Sequence, residues 1–130
     1  MEFEQISERM DEIAQQIVDA AYKVHSTLGA GLLEVIYEIC LFHELTKRGL
    51  KCLRQVEIPI YYDGILLKDN LKLDLLVEDM IIIEIKAVEK IIPVFNAQLM
   101  TYMKLANKRL GFLINFNVPL IKDGLKRVAL

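Results

Sequence analysis

A mixed α/β domain, one sheet with helices packed against it, is what three features of this chain predict. Apolar side chains first recur every three or four residues, then alternate, and Pro93 afterwards opens a further helical stretch ahead of more apolar strands. The implied order is α-α-β-β-β-α-β-β, a three-stranded meander followed by a helix, a buried strand and a short terminal one. With 130 residues, 54% hydrophobic and 26% charged, the chain can bury its own core, and a single domain over residues 1–130 is expected.

Each element has its own signal. In residues 5–26, Ile6, Met10, Ile13, Ile17, Ala21 and Val24 line one face of an amphipathic helix. Gly29 and Gly31 in "TLGAGLLE" permit a tight helix–helix turn. The second helix, Leu32 to Arg48, is apolar nearly all round, so a central and mostly buried helix is expected, closed by Gly49. "CLRQVEIPIYYDGILL" alternates, with Asp63-Gly64 as a hairpin signal, and "LKLDLLV" and "MIIIEIKAV" follow as strands. Pro93 suits a first helical turn, "VFNAQLMTYMKLAN" continues to a stop at Asn107, and "RLGFLINF" and "LKRVAL" read as the last strands.

Composition narrows the function classes. No apolar run approaches the ~20 residues of a membrane span, and no charged segment followed by an apolar one opens the chain, so a cytoplasmic protein is expected. Cys40 and Cys52 lie in apolar surroundings without zinc-ligand spacing and read as small core residues. His25 and His43 share no motif and read as structural. A net charge of −2 gives no global attraction to nucleic acid, so any such site must be a local patch.

"LKLDLLVEDMIIIEIKAV", residues 71–88, sets charges among aliphatic residues, where an unpaired charge is costly. Glu84 and Lys86 are two apart on a strand and share a face, opposite Ile81, Ile83 and Ile85. On the preceding strand Lys72 and Asp74 share a face, opposite Leu71, Leu73, Leu75 and Val77. A two-residue turn at Glu78-Asp79 would set Asp74 against Ile83, whereas a loop of Glu78 to Met80 sets it against Glu84. Burial parity favours the longer loop, which gathers the charges on one side. The adjacent carboxylates are then either an ion-pair cluster with Lys86 or a site for Mg²⁺ or Mn²⁺, with the lysine placed to orient water and offset charge at a phosphorus centre.

Asp74 followed by Glu84-Ile85-Lys86 resembles the D…(D/E)xK signature of the PD-(D/E)XK nuclease superfamily. "GLLEVIY", residues 31–37, resembles the pattern of the GxxExxY protein family, a branch of that superfamily, and the similarity continues through "DLLVE", "EIKAVEK", "AQLMTYMKL" and "GFLINF". The resemblance implies a restriction-endonuclease-like αβββαβ core with an additional N-terminal helix. It also implies metal binding by Asp74, Glu84 and the carbonyl of Ile85, and a catalytic Lys86. Glu34 occupies the position of a further metal-site glutamate; its alternative is a first-turn carboxylate offsetting the helix dipole. Gln98 and Tyr102, four apart on one helix face, stand where related enzymes place groups near metal and phosphate. Tyr37 lies one helical turn from Glu34 and either bonds to the cluster or is a core aromatic. Lys72 stands at a commonly basic position and either contacts phosphate or pairs with Asp74. Leu73 replaces the proline of the signature.

The function implied is a metal-dependent nuclease acting on DNA before RNA, in a protein without membrane segments. The alternatives are a non-catalytic nuclease-fold module that binds nucleic acid or a protein partner, and a hydrolase of another phosphodiester. A mean hydropathy of +0.32 in so small a chain also suggests an exposed apolar patch and a homodimer.

Overall fold

The computed structural model describes residues 5–130, so residues 1–4 of the expected domain lie outside the described residues. Helix α1 (Glu8–Leu28) starts later than position 5 because the Ser7 hydroxyl accepts from the Met10 N–H at 3.1 Å and fixes the first turn. The His25 ring lies 2.8 Å from the Val118 carbonyl and ties the end of α1 to the loop beyond the sheet, a structural role. Gly29 and Gly31 have φ of 76° and 97° and make the expected turn into α2 (Glu34–Lys47).

Helix α2 is less covered than its composition suggests. It buries Tyr37, Glu38, Leu41 and Leu45, but leaves Val35, Ile36 and Ile39 exposed. Among the described residues, only the side facing α1 and the sheet has a packing partner, so the apolar residues on the outer side are exposed.

The strands are β1 (Cys52–Tyr62), β2 (Ile65–Val77), β3 (Ile81–Lys86), β4 (Leu110–Asn115) and β5 (Leu125–Ala129), in spatial order β1-β2-β3-β4-β5. All neighbours are antiparallel except β3 and β4, which helix α3 (Pro93–Ala106) connects as a parallel crossover. Asp63 and Gly64, at φ 51° and 75°, form the two-residue hairpin. Asn107, left-handed at φ 55°, stops α3 where expected. No helix among the described residues is long and apolar enough to cross a membrane.

Helices α1 and α2 cover one face of the sheet, where Ile17, Leu41 and Leu45 meet Leu75, Val77, Ile81, Ile83 and Ile85. Helix α3 covers the other, where Leu99 and Met103 meet Leu76, Ile82 and Leu113. Cys52 is buried and Cys40 partly so, both as free thiols. Leu71 and Leu73, expected beside Leu75 and Val77, join the α3-side cluster instead. The alternation breaks at Asp74. Facing it on β1, Gln55 is left-handed at φ 50° and drops out of a register that holds at Arg54↔Leu75 and Val56↔Leu73.

Candidate active site

The β2–β3 connection decides the site. Pairs Val77↔Ile81, Leu76↔Ile82 and Leu75↔Ile83 leave Glu78, Asp79 and Met80 as the loop, the longer of the two alternatives. Glu78 and Asp79 adopt left-handed φ of 53° and 56°, and the Met80 N–H closes the turn on the Val77 carbonyl at 3.0 Å. The β2–β3 ladder ends at Leu75↔Ile83, and one step further the two acids take over from the backbone. Asp74 Oδ2 accepts from the Ile85 N–H at 2.8 Å, and Glu84 Oε1 accepts from the Asp74 N–H at 3.3 Å. Backbone donors that a continuing strand would have paired thus pin both carboxylates.

Glu84 is only 5% exposed. Burial first, then the neighbouring Asp74 charge, pushes its carboxyl up to about 9, and the protonated form hydrogen-bonds to Asp74. Lys86 acts in the opposite direction on Glu84, but its ammonium lies over the Phe95 ring, 4.6 Å from the centroid. Among the described residues Lys86 has no ion pair closer than 4.0 Å to Asp74 or Glu84. Residues 95, 98 and 102 share one face of α3. There the Gln98 amide donates to the Tyr102 hydroxyl at 2.9 Å, and a hollow of about 430 Å³ is lined by Lys86, Phe95, Gln98, Thr101 and Tyr102. The Tyr102 hydroxyl is raised by burial and by the charges of Glu84 and Asp74, which sets it beside the acids.

Glu34 is the first residue of α2. Its carboxyl is raised by partial burial and by Asp74, and lowered by Lys86 and the Ala87 N–H, so it belongs to the same electrostatic neighbourhood. Among the described residues, however, no three His, Cys, Asp or Glu side chains come together as a group able to hold a metal. Tyr37 takes the core alternative. Its hydroxyl donates to Gly29 O at 2.6 Å and accepts from the Leu32 N–H at 3.1 Å, while its ring stacks on Phe116 at 4.6 Å. Lys72 is exposed on β2 and, among the described residues, forms no ion pair with Asp74.

A profile of the PD-(D/E)XK nuclease superfamily matches residues 11–128. The chain belongs to that superfamily. No curated protein and no solved structure matches it. The five-stranded mixed sheet with its three α-helices is consistent with the restriction-endonuclease-like fold of PD-(D/E)XK proteins. Divalent metal ions are generally used by nucleases of this superfamily, and the donor set here fits one. Burial and the Asp74 charge keep Glu84 protonated in place of two repelling carboxylates, and a hard cation between the acids would let both carry charge. The Ile85 N–H points toward β2, and in an extended strand the carbonyl of the same residue points the same way, so a backbone oxygen is aimed to the Asp74 side.

Four residues around the site escape a reading by motif. Glu38 is buried and accepts from Arg54 Nε and Nη2 at 3.0 and 2.8 Å, and from Gln55 Nε2 at 2.7 Å. Phe95 carries the Lys86 ammonium. The helical spacing of Glu34 to Glu38 and of Phe95 to Gln98 was the available signal for two of them. Nothing in sequence spacing links Arg54 or Gln55 to the acids.

Proposed function

We propose that this PD-(D/E)XK protein is a Mg²⁺- or Mn²⁺-dependent nuclease of the GxxExxY branch, hydrolysing phosphodiester bonds of DNA in preference to RNA, in the cytoplasm. The observation that carries the reading is the contact of buried Glu84 with Asp74 where β2 and β3 part. When bound, a divalent ion there supplies Lewis-acid stabilisation of the charge that develops on phosphate oxygens. Asp74 and Glu84 would hold it through their carboxylates and Ile85 through its carbonyl, and Glu34 would add negative charge beside them. Lys86 orients the attacking water and offsets charge at phosphorus. Gln98 and Tyr102, joined by their hydrogen bond, offer polar contacts to the phosphate from α3. The water oxygen bonds to phosphorus and releases a proton to solvent, the ester P–O bond breaks, and the leaving oxygen takes up a proton from solvent.

The test is cleavage of plasmid and single-stranded DNA with Mg²⁺ or Mn²⁺, repeated with EDTA. Metal-dependent cleavage that Lys86→Ala lowers by about 100-fold or more is expected, with the melting temperature little changed. Absence of cleavage on every substrate, or a Lys86→Ala variant as active as wild type, would overturn the reading.

One observation favours a non-catalytic module: the Lys86 ammonium rests on Phe95 without an ion pair to the acids. Calorimetry separates the two, because a module takes up no Mn²⁺ at millimolar concentration. The proposal includes a homodimer, supported by the exposed Tyr61, Tyr62, Ile65 and Leu66 at the β1–β2 hairpin. A monomer in light scattering at micromolar concentration removes that part.

A further inference from the structure

We infer that Gln55 is a positioning residue for Asp74, held in place by the Glu38–Arg54 ion pair, and that this tie sets the affinity of the site for its divalent ion. The inference rests on the metal-site reading above and names a control on it from another strand. Gln55 stands inside β1 with a left-handed φ of 50°, a conformation that costs a residue with a side chain of this size free energy in any strand. The side chain is what this conformation serves. From there the amide nitrogen reaches Glu38 Oε1 at 2.7 Å and Asp74 Oδ1 at 3.4 Å.

An amide nitrogen has two hydrogens, so Gln55 can donate to both carboxylates at once. Its partner Glu38 is 5% exposed and fixed by two bonds from Arg54, and it therefore selects the donor end of the amide for this side. Asp74 is then held from two directions, Oδ1 by Gln55 and Oδ2 by the Ile85 N–H. Each oxygen keeps a free lone pair for a cation, and the plane of the carboxylate is set. Outer hydrogen bonds of this kind tune metal affinity by fixing the ligand.

A purely structural role for Gln55 predicts something different, since the Glu38–Arg54 pair already joins α2 to β1 without it. Gln55→Gly separates the two: glycine accepts the left-handed backbone without strain and removes the side chain that carries the amide. Mn²⁺ binding is measured by calorimetry on wild type, Gln55→Gly, Glu38→Gln and the double variant, with thermal melting in EDTA alongside. We expect Gln55→Gly to melt at or above the wild-type temperature and to bind Mn²⁺ about 10-fold more weakly. Adding Glu38→Gln to Gln55→Gly should weaken Mn²⁺ binding no further, because Glu38 acts through Gln55. Wild-type affinity in Gln55→Gly overturns the inference while leaving the metal site intact. A wild-type chain that takes up no Mn²⁺ overturns the nuclease reading and this inference with it.

Discussion

Glu84 is the most heavily perturbed acid in the site, and its protonation should be visible in stability. In the metal-free protein its carboxyl keeps a proton up to about 9, whereas the unfolded chain releases it near the ordinary value of 4.5. The folded state thus binds more protons across that window, so stability falls as pH rises through it and is greatest below it. Urea titrations in EDTA from acid to alkaline pH should show this decline, with Glu84→Gln flattening it and saturating Mn²⁺ reducing it. A metal-free stability that climbs over the same range would contradict the burial argument. Tyr37 makes a separate prediction, since its hydroxyl serves the α1–α2 turn rather than the acids. Tyr37→Phe should cost about 1–3 kcal/mol in chemical unfolding by leaving the Gly29 carbonyl and Leu32 N–H without that partner. Its Mn²⁺ affinity should match wild type. Sequence spacing could not choose between the two roles of Tyr37, because a helical turn from Glu34 leads equally to the cluster and to the core.

Among the elements, the β2–β3 hairpin was the most readable. Only the longer loop puts Leu75, Val77 and the three isoleucines on a common buried face, and the hydrophobic pattern alone forces that choice. The outer half of β2 was less readable. Parity assigned Leu71 and Leu73 to the wrong cluster because Gln55 turns left-handed opposite Asp74, which no strand propensity signals. Helix α2 was misjudged for another reason: an apolar composition does not say which side acquires a neighbour. The packing of β4 against α3 and against the closing loop, residues 116–124 between β4 and β5, gives a direct test at this level. A Cβ on Gly124 would lie 2.0 Å from the Asn115 carbonyl oxygen, a backbone atom that cannot move aside cheaply. A Cβ on Gly111 would meet the ends of flexible side chains, Met103 Sδ at 2.9 Å and Leu99 Cδ1 at 3.1 Å, with the Ile82 carbonyl oxygen at 3.3 Å. Gly111→Ala should therefore cost about 1–3 kcal/mol, and Gly124→Ala clearly more. Equal melting temperatures for the two variants would mean that the closing loop is looser than described.

For the whole molecule, the change of hydrophobic period along the chain already located the sheet, its covering helices and the strands carrying Asp74, Glu84 and Lys86. The superfamily profile over residues 11–128 agrees with that layout. What stayed hidden is the support around the acids. Glu38, Arg54 and Gln55 reach the site only because α2 and β1 pack together, and Phe95 matters only once α3 is laid over β3. Such contacts are properties of the packed molecule: helical spacing points at most to Glu38 and Phe95, and nothing along the chain points to Arg54 or Gln55. The functional proposal depends on a different, simpler point, that the parting of β2 from β3 creates a place for one divalent ion. A crystal soaked in Mn²⁺ tests it most directly. An anomalous peak bounded by the carboxylates of Asp74 and Glu84 and the carbonyl of Ile85 is predicted, lost on soaking with EDTA. A fully soaked crystal with no peak there, or with manganese only elsewhere on the protein, would contradict it.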